Sequence, residues 1–106
     1  MIVNLGWKEI QKKYIREMMI RKNSKTNIQQ FITEAALIKV SNKGNNSFCF
    51  TFLFNNKEYK VMVAGEGACS MGAEMYSDFG IRILKELSPY LHEYVYKYTR
   101  PLTMES

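Results

Sequence analysis

The sequence predicts an α+β domain: a three-stranded antiparallel sheet with helices on one face, ordered αβββα, plus an extra helix at each end. Three observations predict it. Phe48, Phe50, Phe52 and Phe54 recur at every second position, the period of a half-buried strand. Asn55-Asn56 follows, a pair that tolerates the positive φ of a two-residue hairpin turn. Thr26 with Gln29 three positions on is a capping box, and Ile28, Phe31, Ile32, Ala35 and Ala36 continue it at helical spacing.

Each element can be justified in order along one domain, residues 1–106. Residues 1–25 read as a basic amphipathic helix: Trp7, Ile10, Tyr14 and Met18 form an apolar stripe, while Lys8, Lys12, Arg16 and Lys22 fall largely away from it. Asn23-Ser24 ends it. The αβββα core occupies 26–88. Leu37 to Val40 is a short apolar run that serves either as a strand or as an extension of the preceding helix, and residues 41–46 have loop composition. In the hairpin, Phe54 should face Lys57, Phe52 Tyr59, Phe50 Val61 and Phe48 Val63. The opposite, wet face then carries Cys49 with Met62, Thr51 with Lys60 and Leu53 with Glu58.

Gly65-Glu66-Gly67 ends the last strand, and Ser70 is placed as the N-cap of a helix whose stripe is Tyr76, Phe79, Gly80, Ile83, Leu84 and Leu87. Gly80 inside that stripe would let backbones approach closely. Ser88-Pro89 stops this helix and starts a Tyr-rich one over 89–100, ended by Arg100-Pro101; residues 101–106 are a tail.

The 106 residues carry 15 basic and 10 acidic side chains, net +5, distributed unevenly. Residues 1–26 hold seven basic against two acidic, 27–64 four against two, and 65–106 four against six. A basic first third suits an anionic partner. No apolar run approaches the roughly 20 residues that span a membrane. The N-terminus lacks a charged segment followed by an apolar core, so the cytoplasm is expected, the host's if the chain is viral. Cys49 and Cys69 lack metal-ligand spacing and read as two reduced thiols. No cofactor and no metal are expected.

The order α-β-β-β-α resembles the double-stranded-RNA-binding domain family. The likeness is carried by Phe48-Cys49-Phe50-Thr51, Asn55-Asn56-Lys57-Glu58-Tyr59, Gly65-Glu66-Gly67, Ser70 and Ile83-Leu84-Lys85-Glu86-Leu87. The resemblance implies shape recognition of A-form RNA through three regions. Asn27, Gln30 and Glu34 would reach 2′-hydroxyls, and Ser41, Asn42, Lys43 and Asn45 would enter a minor groove, without the family's Gly-Pro-x-His pattern. At the start of the last core helix the family places a lysine cluster against phosphates. This chain has Met71, Gly72, Ala73, Glu74 and Met75 there. Phosphate contacts supply much of the affinity in such an interface, so the departure points away from RNA. Family members without the cluster tend to act as protein–protein modules.

Catalytic signals are weak. His92 is the only histidine and reads as a surface residue, with nothing placing it near Cys69. Glu74 and Asp78 read as a solvated face, and Gly65-x-Gly67 lacks the lysine of nucleotide loops. Tyr90, Tyr94, Tyr96 and Tyr98 surround Leu91 and Val95 on more than one face of the last helix, which suits partner capture or self-association.

The sequence therefore predicts a small non-enzymatic module acting through protein contacts, with self-association. A virus- or phage-encoded inhibitor of a host defence complex, such as an anti-CRISPR protein, fits that class. The alternative is a double-stranded-RNA binder using Gln30, Asn42, Lys43, Lys57 and Lys60 with the basic helix.

Overall fold

The alternating phenylalanines lie at the centre of the sheet. In the computed structural model, which describes residues 2–21, 26–44, 46–64 and 67–99, strand β2 (Ser47–Phe54) pairs with β3 (Lys57–Ala64) in the predicted register, Phe54 opposite Lys57 through Phe48 opposite Val63. Asn55 and Asn56 both take positive φ, 53° and 61°, the geometry a two-residue hairpin needs to match strand twist. Phe50 and Phe52 are fully buried. A fully buried aromatic of this kind is worth roughly 1.5–3 kcal/mol over an exposed one.

The sheet has four strands, in the order β1-β2-β3-β4, where three were expected. The fourth, β4 (Cys69–Met71), is three residues long and sets Ser70 opposite Met62. Ser70 is therefore a strand residue, and the helix after it is capped by Gly72 without a side-chain bond. Strand β1 (Ala36–Gly44) also runs further than its composition suggested, through Ser41 opposite Cys49 and Asn42 opposite Phe48. A strongly apolar neighbouring strand overrides the loop composition. Two irregularities interrupt β1, between Leu37 and Lys39 and between Asn42 and Gly44.

Helix α2 (Asn27–Glu34) has the expected capping box: Thr26 Oγ1 accepts from Gln29 N, and Thr26 N donates to Gln29 Oε1. Its other end is served by helix α1 (Ile2–Arg21). The Trp7 indole donates to Ala35 O at 2.9 Å, and the Gln11 amide to Ile32 O and Ala35 O at 2.9 and 2.8 Å. These bonds satisfy carbonyls that a helix end leaves open. The α1 stripe packs into the core, with Trp7, Ile10 and Tyr14 buried and Met18 partly so. Phe31 sits among Phe52, Phe54, Tyr59 and Phe79, all at edge-to-face geometry with centroids 5.1–5.5 Å apart.

The predicted long third helix is two helices, α3 (Ala73–Phe79) and α4 (Arg82–Tyr94). Gly80 between them has φ +75°, and its N–H reaches Tyr76 O, so it ends α3 in a left-handed conformation. Nothing lies within 4 Å of where its Cβ would be, so conformation, not close approach, calls for glycine. The break resets the helical phase: Met75 is buried and Tyr76 is exposed, not in the stripe.

Pro89 lies inside α4, which runs on to Tyr94 and then into a π-helical turn, Val95–Thr99. Proline removes one helical bond, and the burial of Leu87, Tyr90, Leu91 and Tyr94 on both sides of it holds the helix together. Lys22, Asn23, Ser24, Asn45, Gly65, Glu66, Arg100, Pro101 and the tail lie outside the described residues. Among the described residues, no helix is long and apolar enough to cross a membrane.

Candidate functional site

Sheet pleating sorts the side chains to two faces. Leu37, Val40, the four phenylalanines, Tyr59, Val61 and Val63 face the helices, and every helix-to-sheet ring contact falls on that face. The opposite face is lined by cross-strand rows. Lys39, Thr51 and Lys60 form one across β1, β2 and β3; Ser41, Cys49 and Met62 form the next. Lys43 joins them at the second irregularity of β1. Ile38, Lys39, Ser41, Lys43, Cys49, Thr51, Glu58 and Lys60 enclose an open concavity of about 390 Å³. Ile38, Leu53 and Met62, all on this side, are each about 40% exposed. Among the described strand residues, no aromatic side chain lies on this face.

Thr51 was expected to be exposed and is only 7% so. It sits between Lys39 and Lys60 in the middle strand, a short side chain flanked by two long ones. Lys60 is exposed, as expected.

Charge separates the two faces. Lys57, three residues before Lys60, projects to the helix side. Its ammonium lies 2.7 Å from Asp78 and 3.2 Å from Glu74 of α3, and Tyr59 donates to the same Asp78 oxygen at 2.6 Å. The Asp78 hydrogen bond, then that of Glu74, holds Lys57 well above the ordinary lysine range. Lys57 and then Tyr59 hold Asp78 below the usual carboxylate range, while burial and then Asp78 push the Tyr59 phenol up. Lys12, Lys13 and Lys97 also have carboxylate partners. Lys39, Lys43 and Lys60 have none among the described residues.

Comparison with protein-family models, curated proteins and solved structures finds no match.

Of the residues singled out for RNA, the fold brings Ser41, Lys43 and Lys60 together. Lys57 is on the far side of the sheet and paired. Asn42 shares the Phe48 side and accepts from Gly44 N at 2.8 Å, and Gln30 is exposed on α2. The tyrosines do not make one surface either. Tyr94 is buried edge-on to Phe50; Tyr90 is buried edge-on to Tyr14, with its hydroxyl donating to Glu17. Packing of α1 over α4 draws both into the core. Tyr96 is 66% exposed, and the Tyr98 side chain lies outside those described.

The residue that sequence reasoning missed is Lys39. Its signal was the hairpin register, which set Thr51 and Lys60 on the wet face; the irregularity at Ile38 hid which β1 residue would join them.

A second meeting was also unforeseen. Cys69 Sγ lies 3.3 Å from Ser88 Oγ and 3.7 Å from His92 Nε2, which is 3.1 Å from Gly67 O. A carbonyl only accepts, so Nε2 carries the proton in that contact and has no lone pair for the thiol proton. Among the described residues no three His, Cys, Asp or Glu side chains gather as metal ligands.

Proposed function

We propose that the chain is a non-enzymatic binding module that takes a protein partner on the open face of its sheet. One observation carries the reading. That face combines three lysines without ion-pair partners among the described residues, the hydroxyls of Ser41 and Thr51 and half-exposed Ile38 around one concavity, with half-exposed Leu53 and Met62 on the same face. Mixed apolar and polar area suits a protein partner, whereas sheets that read single-stranded nucleic acid present aromatic rings for base stacking. An inhibitor of a host defence complex, the narrower form of this reading, would use the same face against that complex.

The second reading is double-stranded RNA. It is favoured by Lys43 and Lys60, which the family likeness nominated and which share the concavity. It is opposed at the start of α3, where a phosphate would meet Glu74, and where the neighbouring Lys57 is already held by Glu74 and Asp78. The helix–sheet–helix arrangement is common to both readings, and kinship with the RNA-binding family is part of the second alone.

A photo-crosslinking residue at Ser41 tests the choice, with one at Lys85 on α4 as control, in nuclease-treated and untreated lysate. The proposal expects a protein adduct from position 41 that survives nuclease and is absent from position 85. An adduct lost on nuclease treatment would favour RNA, and equal adducts from both positions would refute an open-face site.

A further inference from the structure

We infer that the partner segment is acidic: an extended stretch with carboxylates that meet Lys39, Lys43 and Lys60 and apolar side chains that cover Leu53 and Met62. The inference rests on the open-face reading and adds its chemistry. Three features of the surface argue for it.

The first is a local charge imbalance. Three lysines line the concavity against one carboxylate, Glu58. Elsewhere the fold matches many of its lysines: α1 and the π-helical turn use Glu9 and Glu93, and β3 uses Glu74 and Asp78. Lys39 and Lys60 are placed in one row either side of Thr51. Neighbouring strands are about 4.8 Å apart, so their Cα atoms stand roughly 10 Å apart. Like charges so placed repel one another mildly until an anion lies between them.

The second is spacing. Lys39 and Lys43 are separated by four residues of β1, on the order of 13 Å along the strand. Side chains of an extended peptide on one face repeat about every 6.8 Å. Carboxylates four positions apart would therefore match Lys39 and Lys43, with Ser41 and Thr51 offering hydroxyl donors beside them.

The third is the apolar border. Ile38, Leu53 and Met62 are exposed beside the lysines, which gives a leucine-like side chain somewhere to go and a phosphodiester backbone nothing.

The probe is a blocked eight-residue peptide with the repeat Glu-Ser-Leu-Ser, which keeps the glutamates four positions apart and the leucines on the same face as them, titrated into the 15N-labelled protein and followed by amide shifts at low and at physiological salt. Three further titrants are a serine–leucine peptide, a lysine–leucine peptide and a short RNA duplex. Shifts from the acidic peptide should cluster on Lys39, Ser41, Thr51 and Lys60, and affinity should fall with salt. Lys39→Glu with Lys60→Glu should weaken binding about tenfold, because each reversal replaces an attraction with a repulsion of similar size. Lys85→Glu on α4 should leave it unchanged, and amide spectra of each variant report folding directly.

If the serine–leucine peptide binds the same face as tightly, the acidic inference fails while the protein-binding reading stands. If only the RNA duplex shifts these amides, both fail. No shift with any peptide, or shifts elsewhere, overturns the inference.

Discussion

Lys57 and Lys60 lie three residues apart on β3 and have opposite circumstances. On the helix side, Lys57 is held by Asp78 and Glu74, beneath a core in which no buried polar side-chain atom of the described residues lacks a partner. On the open side Lys60 faces Thr51 and, across it, Lys39, with no carboxylate engaged. One face carries the packing that makes the fold; the other contributes little to stability and has its cations available. Stability and binding should therefore separate cleanly by face.

The largest test strikes the helix side. Phe50→Ala should cost ~3–5 kcal/mol, the range for truncating a buried aromatic, read as a lowered denaturant midpoint. A midpoint left unchanged would break the comparison outright. Next is Gln11→Ala, which removes the donor to Ile32 O and one of two to Ala35 O. An unmet buried carbonyl costs about 1–3 kcal/mol, so a clear drop in thermal midpoint is expected.

The third test is acid. Asp78 and Glu93 both have folded pKa values below the ordinary carboxylate range, Asp78 through Lys57 and Tyr59, Glu93 through Lys13 and Lys97. A carboxylate depressed on folding stabilises above its unfolded pKa, near ~4, and that contribution disappears as pH falls through the lower folded value. Wild type should thus lose stability as pH falls below about 5, through the unfolded and then the lowered folded values. Asp78→Asn with Glu93→Gln should show a shallower loss, measured by denaturation at each pH. The smallest effect belongs to the open side. Lys39→Ala and Lys60→Ala should each move stability by no more than about 0.5 kcal/mol, and neither should alter the acid profile. A large change in either would mean these lysines hold the fold.

Legibility in the sequence followed the same division. The β2–β3 hairpin was readable to the residue because alternation and the Asn-Asn turn specify one register. The α1 stripe and the α2 capping box were readable for the same kind of local reason. β4 was not, since three residues are too few to show a period. Gly80 and Pro89 were misassigned because a glycine inside an apolar stripe and a proline after a serine carry two meanings each, and tertiary packing chose between them. In β1 the irregularity at Ile38 puts both Leu37 and Val40 toward the core. That spacing of three is what made the segment look half helical, and it concealed Lys39.

The clasp between the first and last helices bears on how the chain can fold. Lys13 meets Glu93, Tyr14 meets Glu86 and Glu17 meets Tyr90, contacts that span 80, 72 and 73 positions. Contacts of such separation slow folding, because the loop they close must be ordered before they form. During synthesis the Trp7–Tyr14 stripe is made before the α4 residues and waits for them before its cover is complete. Until α4 has been made the nascent chain carries a partly uncovered aromatic helix, and a chaperone that shields it would raise the yield of folded protein.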